Sequence, residues 1–261
     1  MTRATNAAPQ PTDRAVSPEE RLSLVRNLID ERGAARIDEL ADDFGVSEMT
    51  IRRDLAELET LGVARRVRGG AIALGPEPFA ARHRHQARAK ARIAEKLLPL
   101  IPKVGTIALD ASTTVHRLAT SLAEARDLTI ITNGLDSFQA LSDTPGVQVN
   151  LTGGTQEPRT GSLVGPLAVR SVESLLYEVF IASSAAVDAA VGSSERSIEE
   201  AEVKRTFQAS SQQVVLAVDH TKLDTRSPAR WLNLSDIHLM VTDLDPSDAR
   251  LDRYRDLVDL R

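Results

Sequence analysis

The sequence predicts an α/β protein in two domains, a small helical domain closed by a hairpin and a larger one built on a mostly parallel sheet. Three observations predict it. Apolar residues recur at helical spacing through the first sixty residues, with Gly33, Gly45 and Gly62 as breaks. From residue 104 onward, short continuous apolar runs alternate with amphipathic stretches, the pattern of strands buried on both faces between helices. Charge is divided unevenly along the chain. Residues 1–92 hold 16 Lys and Arg against 14 Asp and Glu, and residues 93–261 hold 16 against 23. A basic module ahead of an acidic body is the distribution of a nucleic-acid-binding unit joined to one that binds something else.

Composition excludes several classes. The chain has 261 residues, 42% of them apolar, and no cysteine. Disulfides and cysteine-ligated zinc are therefore excluded, and a cytoplasmic location is expected. No apolar run approaches the roughly 20 residues of a membrane span, so no membrane partner is expected. Residues 1–16, polar and proline-containing and without the apolar core of a secretion signal, are expected to form a disordered lead-in.

The first domain is expected over residues 17–74. Ser17-Pro18-Glu19-Glu20 starts a helix, with Ser17 as cap and Glu20 completing a capping box. Leu22, Val25, Leu28 and Ile29 form its apolar stripe, and Gly33 ends it. A second helix follows Asp38, with Ile37, Leu40, Ala41 and Phe44 inward. After the turn at Gly45, Ser47 caps a third helix whose stripe is Ile51, Leu55, Leu58 and Leu61. At about 100° per residue this leaves Met49, Thr50, Arg52, Arg53 and Glu57 outside. Two helices across a glycine turn make a helix-turn-helix, and the amino end of the second would meet base edges in double-stranded DNA. Arginine suits that task because its planar fork grips a guanine edge or a phosphate with two bonds. Val63–Arg65 and Ala71–Ala73 then read as a hairpin with Arg66-Val67-Arg68-Gly69-Gly70 at its tip, a wing carrying cations to the backbone. The expected DNA-binding residues are Ser47, Met49, Thr50, Arg52, Arg53, Arg65, Arg66, Arg68, Gly69 and Gly70.

Residues 75–92 are expected to form a basic linker. His83 and His85 lie in it without a third ligand at useful spacing, so no metal site is expected.

In the larger domain, residues 93–261, strands are expected at 106–110, 128–132, 147–152, 179–183, 214–219 and 238–242. Helices are expected at 115–125, 137–142, 167–176 and 199–210. Ligands of parallel sheets sit beyond the carboxyl ends of the strands, and polar residues collect there. They are Asp110, Ser112, Thr113 and Thr114 after the first strand, Asn133 after the second, Gly153 and Gly154 after the third, and Lys222 after the fifth. A hydroxyl-rich turn opening a helix offers N–H groups to an anion, Lys222 offers a point charge, and Asp110 offers acceptors to sugar hydroxyls. Glu200 and Lys204, four apart on a helix, are open to a plainer reading as a solvated pair.

The stretch VSEMTIRRDLAELETLGVARRVRGGA resembles the DNA-binding signature of the DeoR family of bacterial transcriptional regulators. AKARIA, IALDASTT, IITNGL, LTGG, GSLVGPLA, EEAEVKR and VDHTK follow in the order of that family's effector domain. The resemblance covers about residues 18–245. It implies a domain with the ribose-5-phosphate isomerase and CoA-transferase fold that senses a phosphorylated sugar or related metabolite, with no cofactor. It adds Glu202 and Lys204 to the expected effector-binding residues. The chain departs from the family at Arg68, where histidine is common, and at Ser112, Ser183, Ala186 and Asp224, where glycine is common. The implied function is an operator-binding repressor of carbohydrate or polyol genes, working as a homodimer or homotetramer. A sugar-phosphate isomerase with Asp110, Lys204 and Lys222 as acid–base groups is the alternative reading.

Overall fold

A computed structural model of the chain describes residues 16–73, 78–123, 125 and 127–261. The expected lead-in lies outside these residues except for Val16, and so do residues 74–77 at the start of the expected linker. The chain divides into two units, Met1–Leu74 and Gly75–Arg261.

In the first unit, α1 (Pro18–Arg32) opens on Ser17, whose side chain accepts from the Glu20 N–H, and closes on Gly33. A short strand follows, β1 (Ala34–Arg36), then α2 (Ile37–Phe44), α3 (Glu48–Thr60), β2 (Ala64–Val67) and β3 (Gly70–Ala73). The three strands pair antiparallel in the order β1-β3-β2. The core is Val25, Ile29, Leu40, Ile51, Leu55 and Leu58, each with at most 1% of its surface exposed. Burying such a side chain contributes about 1.5–3 kcal/mol.

The details differ from expectation in four places. β1 was not foreseen, because Ala34-Ala35-Arg36 is too short to show an alternation. Helix α2 starts at Ile37, and Asp38 pairs with Arg36 instead of capping. Leu61 stands past the helix end and is 62% exposed, so the stripe of α3 stops at Leu58. The wing strands run on to Val67 and Gly70, leaving only Arg68 and Gly69 in the turn. Gly70 is required by packing: a Cβ there would lie 2.2 Å from the Ala35 carbonyl oxygen.

The second unit opens with α4 (Phe79–Arg84) and α5 (Ala87–Leu97). The sequence predicts a linker over residues 75–92, of which α4 and α5 take up residues 79–84 and 87–92. They are instead part of this unit, with Ala81, Ala89 and Lys90 buried. Alternating units then build the sheet: β4 (Val104–Leu109), α6 (Thr113–Ser121), β5 (Asp127–Thr132), α7 (Leu135–Leu141) and β6 (Val147–Leu151). A small ribbon follows, β7 (Thr155–Gln156) and β8 (Leu163–Val164), then α8 (Pro166–Glu173) and β9 (Tyr177–Ala182). After β10 (Ala186–Asp188) and β11 (Gly192–Glu195) come α9 (Ile198–Ala209), β12 (Ser211–Ala217), β13 (Ala229–Leu232) and β14 (Leu239–Val241).

The large sheet runs β14-β12-β9-β4-β5-β6 with every pairing parallel. Chain direction across the sheet therefore reverses between β4 and β9. That is a topological switch point, where crossovers leave to opposite faces and a crevice opens beyond the strand ends. Helices α5 and α6 cover one face through Ile93, Leu97, Val115 and Leu118, packed with Ile107, Leu109 and Ile130. Helices α8 and α9 cover the other through Val172, Val203 and Phe207, packed with Ala108, Phe180 and Leu216. A second sheet, β10-β11-β13, is antiparallel. Nothing in the sequence marks it, because its buried strand is Gly192-Ser193-Ser194-Glu195, without an apolar residue, and reads as loop.

Helices α1 and α3 are joined by a buried ion pair, the Arg21 Nε 2.7 Å and Nη2 3.1 Å from the two Asp54 carboxylate oxygens. Removing one partner strands the other charge, so Asp54→Ala is expected to destabilise the first unit by about 3–5 kcal/mol. Urea unfolding followed by circular dichroism would show its transition at lower urea, and an unmoved midpoint would contradict this account.

Candidate functional site

The outer face of α3 presents cations in two states. Ser47 caps the helix, its Oγ accepting from the Thr50 N–H at 3.2 Å and lying 3.0 Å from the Thr50 Oγ1. Ser47 and Thr50 thus shape the helix start. Met49 beside them is 59% exposed. Arg52 leans back on Glu48 at 3.1 Å. Arg53 is exposed and has no carboxylate partner among the described residues. On the wing, Arg66 donates from its backbone N–H (2.9 Å) and its Nε (2.7 Å) to Glu59. The backbone and then the side-chain bonds of Arg66 hold that carboxyl below the usual range. This ties β2 to the last turn of α3. Arg65 and Arg68 are exposed, and neither has a carboxylate partner among the described residues. Arg68 and Gly69 form the turn, and Gly70 begins β3.

At the switch point of the sheet lies a cavity of about 330 Å³. Its base is a buried ionic node. Asp110 follows β4 and is 0% exposed. Its carboxylate accepts the Ser112 N–H at 3.0 Å, the Ser183 N–H at 2.9 Å and the Lys204 ammonium at 2.9 Å. Lys204, from α9, donates also to the Ser183 carbonyl at 2.8 Å and to Glu195 at 2.5 Å. Its ammonium stands 5.4 Å from the ring centre of Trp231, the single tryptophan of the chain. Burial works to lower the pKa of Lys204, but the charges of Asp110, Glu195 and Glu200 outweigh it and hold the ammonium above the ordinary lysine value. Lys204 is therefore charged. Burial in turn raises the Glu195 carboxyl against the pull of Lys204.

The wall over this node is polar. Ser112 caps α6, its Oγ accepting from the Val115 N–H at 3.2 Å. The amides of Thr113 and Thr114 in the first turn have no partners within the helix. Asn133 donates to the Leu163 carbonyl at 3.2 Å, and its own buried Oδ1 has no hydrogen-bond partner among the described residues. Lys222 stands in a single helical turn after β12, begun by Asp219, whose Oδ1 accepts the Thr221 N–H at 3.0 Å. Glu200 also lines the cavity and accepts from the Ser162 Oγ at 2.8 Å.

Of the expected effector residues, Ser112, Thr113, Thr114, Asn133, Lys204 and Lys222 line the cavity. Asp110 does not offer itself to a ligand, because its oxygens are already committed beneath the floor. The bonds of Lys204 to Asp110, Ser183 and Glu195 use its three donors, so it supplies charge and not a free N–H. Glu202 points away, exposed and paired with Arg205. The inward glutamate is Glu200, one turn before Lys204, so this i,i+4 pair is not a solvated face. Gly153 and Gly154 lie beyond the edge strand β6 and pack on α8 and β8. A Cβ on Gly154 would lie 2.6 Å from the Val164 carbonyl oxygen. Arg82, Gln86 and Lys90 from the α4–α5 segment, Ser162 just before β8, Glu195 at the end of β11 and Arg196 after it also line the cavity, though nothing local in the sequence marks them. His83 belongs to an aromatic cluster, 6.1 Å from Phe79 and 5.3 Å from His116. Burial lowers the pKa of both imidazoles.

Lys204→Met is expected to cost the second unit about 3–5 kcal/mol, because Asp110 and Glu195 lose their buried counter-charge. The loss should deepen as pH rises. Without Lys204 to offset burial, the folded-state pKa of Glu195 rises further, so the folded variant holds a proton that the unfolded chain gives up in the ordinary glutamate range, and stability falls as pH rises through that window. Urea unfolding read by Trp231 fluorescence at several pH values checks both the size and the sign.

Residues 21–77 match the DeoR-like helix-turn-helix domain, and residues 85–244 match the DeoR C terminal sensor domain. The chain is 32% identical over 243 residues to the HTH-type transcriptional regulator GolR of Listeria innocua, spanning 92% of this chain and 96% of that protein. It is 32% identical over 232 residues to the HTH-type transcriptional repressor CsqR of Escherichia coli, spanning 88% and 89%. It is 30% identical over 250 residues to the lactose phosphotransferase system repressor of Streptococcus mutans, spanning 92% and 98%. Among solved structures, ribose 5 phosphate isomerase A from Neisseria gonorrhoeae is 17% identical, with a TM-score of 0.37 over 52% of this chain and 53% of that one. Two domain matches in order, together with relatives aligned over nearly the whole length, place this chain in the DeoR family of helix-turn-helix transcriptional regulators.

Proposed function

We propose that this chain is a repressor of carbohydrate or polyol genes that binds operator DNA through α3 and the wing and is controlled by a phosphorylated sugar or related metabolite. It works in the cytoplasm as a homodimer or homotetramer, since operators are commonly repeated or palindromic. The names of relatives such as the lactose phosphotransferase system repressor support the pathway class. The observation that carries the effector reading is the polarity of one cavity. Its amino-end-of-α6 wall, with Lys222, suits an anion. Glu195 and Glu200 in the same lining suit hydroxyl donors. A sugar phosphate has both ends. Acid–base chemistry in an isomerase is disfavoured, because Asp110 and Lys204 are committed to each other.

DNA reading is assigned to the uncommitted cations, Arg53 on α3 and Arg65 and Arg68 on the wing. Ser47, Thr50, Arg52, Arg66, Gly69 and Gly70 shape or flank that surface, and Met49 is available for apolar contact with a base. Arg53→Ala should weaken specific binding by about 1–3 kcal/mol with the fold intact. Gel shifts at fixed salt on DNA from the gene's own promoter check this. A loss equal on specific and random DNA would assign Arg53 to phosphate alone.

A panel of sugar phosphates and their neutral parent sugars, titrated against Trp231 fluorescence, tests the effector class. The phosphate esters should bind more tightly, and Lys222→Ala should weaken them about tenfold while leaving operator affinity nearly unchanged. Equal binding of ester and parent sugar would refute the anion wall.

A further inference from the structure

Helix α4 lies in the gap between the two family matches, which end at residue 77 and resume at residue 85. It nevertheless contributes Arg82 to the cavity, and the elbow after it contributes Gln86 and Lys90. Gln86 has a φ of 53°, in the left-handed region that side chains other than glycine disfavour. Lys90, buried at the start of α5, reaches back to the His85 carbonyl at 2.7 Å and to the Arg82 carbonyl. Those carbonyls belong to the end of α4, so the ammonium caps one helix from the next and sets the angle between them.

A second tether runs from the other side. The Phe79 N–H donates to the Arg159 carbonyl at 2.7 Å, and Arg82 reaches the Thr160 carbonyl at 3.5 Å. The Thr160 hydroxyl lies 2.6 Å from that of Ser162, which donates to Glu200. The Nε of Arg82 is buried and has no hydrogen-bond partner among the described residues. A cavity residue, Glu200, is thus bonded through two hydroxyls to the loop on which α4 rests, and an arginine on α4 keeps an unused donor.

We infer that the α4–α5 elbow is a further wall of the effector site, and that an anionic effector engages Arg82 and Lys90 and stiffens the elbow. This rests on the anionic-effector reading above. The placement gives the elbow a reporting role. Strand β3 of the wing ends at Ala73 and α4 begins at Phe79, so the chain that leaves the DNA-binding unit enters the sensor unit at this wall.

Hydrogen–deuterium exchange on the full chain, with and without inorganic phosphate, tests it. Phosphate should slow exchange at residues 112–116 and also at residues 79–92. Arg82→Ala, which removes no helix cap, should weaken phosphate binding about tenfold and abolish the slowing at 79–92 while keeping it at 112–116. Slowing at 112–116 with unchanged or faster exchange at 79–92 would overturn the inference and leave the anion site standing. No slowing at either segment would remove the anion reading and this inference with it.

Discussion

The buried node of Asp110, Lys204 and Glu195 organises the sensor unit. Asp110 hangs from the end of β4, Ser183 follows β9, Glu195 ends β11, and Lys204 projects from α9. One ammonium and two carboxyl groups thereby hold four elements at the switch point of the sheet. Burying these charges is costly in itself. The cost is offset because the contacts are short, each donor of Lys204 has an acceptor, and Asp110 takes two backbone N–H groups that would otherwise lie unpaired. Apolar residues of similar size would pack as well, but they would leave those N–H groups without acceptors. The node is therefore a device for position: it decides where the cavity walls stand.

The cavity inherits a polarity from its support. Glu195, Glu200 and the charged Lys204 share its lining with the first turn of α6 and Lys222. A helix start favours anions through its unpaired N–H groups and its dipole. A site with both signs of charge admits a ligand with a distinct anionic end and rejects a simple anion less strictly than it orients a bifunctional one.

The first unit applies the same economy of charge. Arg21 with Asp54 inside, and Arg66 with Glu59 at the surface, fix α1, α3 and the wing as one piece. Arg53, Arg65 and Arg68 remain outside these pairs. A guanidinium already shared with a carboxylate must give up that partner before it grips a phosphate, and the proposed DNA contacts rest on the uncommitted ones for that reason.

Much of this was legible in the linear chain because it depends on local chemistry. Caps at Ser17, Ser47 and Ser112, helix stops at Gly33 and Gly62, and the six parallel strands all follow from neighbours within a few residues. The carboxyl-end loops after β4, β5 and β12 could be named as site segments because parallel topology brings them to one edge. Position around a helix and commitment of a side chain could not. Glu200 and Glu202 differ by two residues and face opposite ways, and only the packing of α9 decides which looks inward. Asp110 and Lys204 carry the right groups for a ligand, yet they are spent on each other across 94 residues of chain. Arg82, Gln86 and Lys90 read as a charged linker, because basic residues near prolines have no local reason to fold back. The sequence by itself determined the elements, their order and the end of the sheet where the site lies, through short-range propensity and periodicity. Tertiary structure alone decided which polar groups remain free, because that depends on partners distant in sequence and on how completely each donor and acceptor is already satisfied.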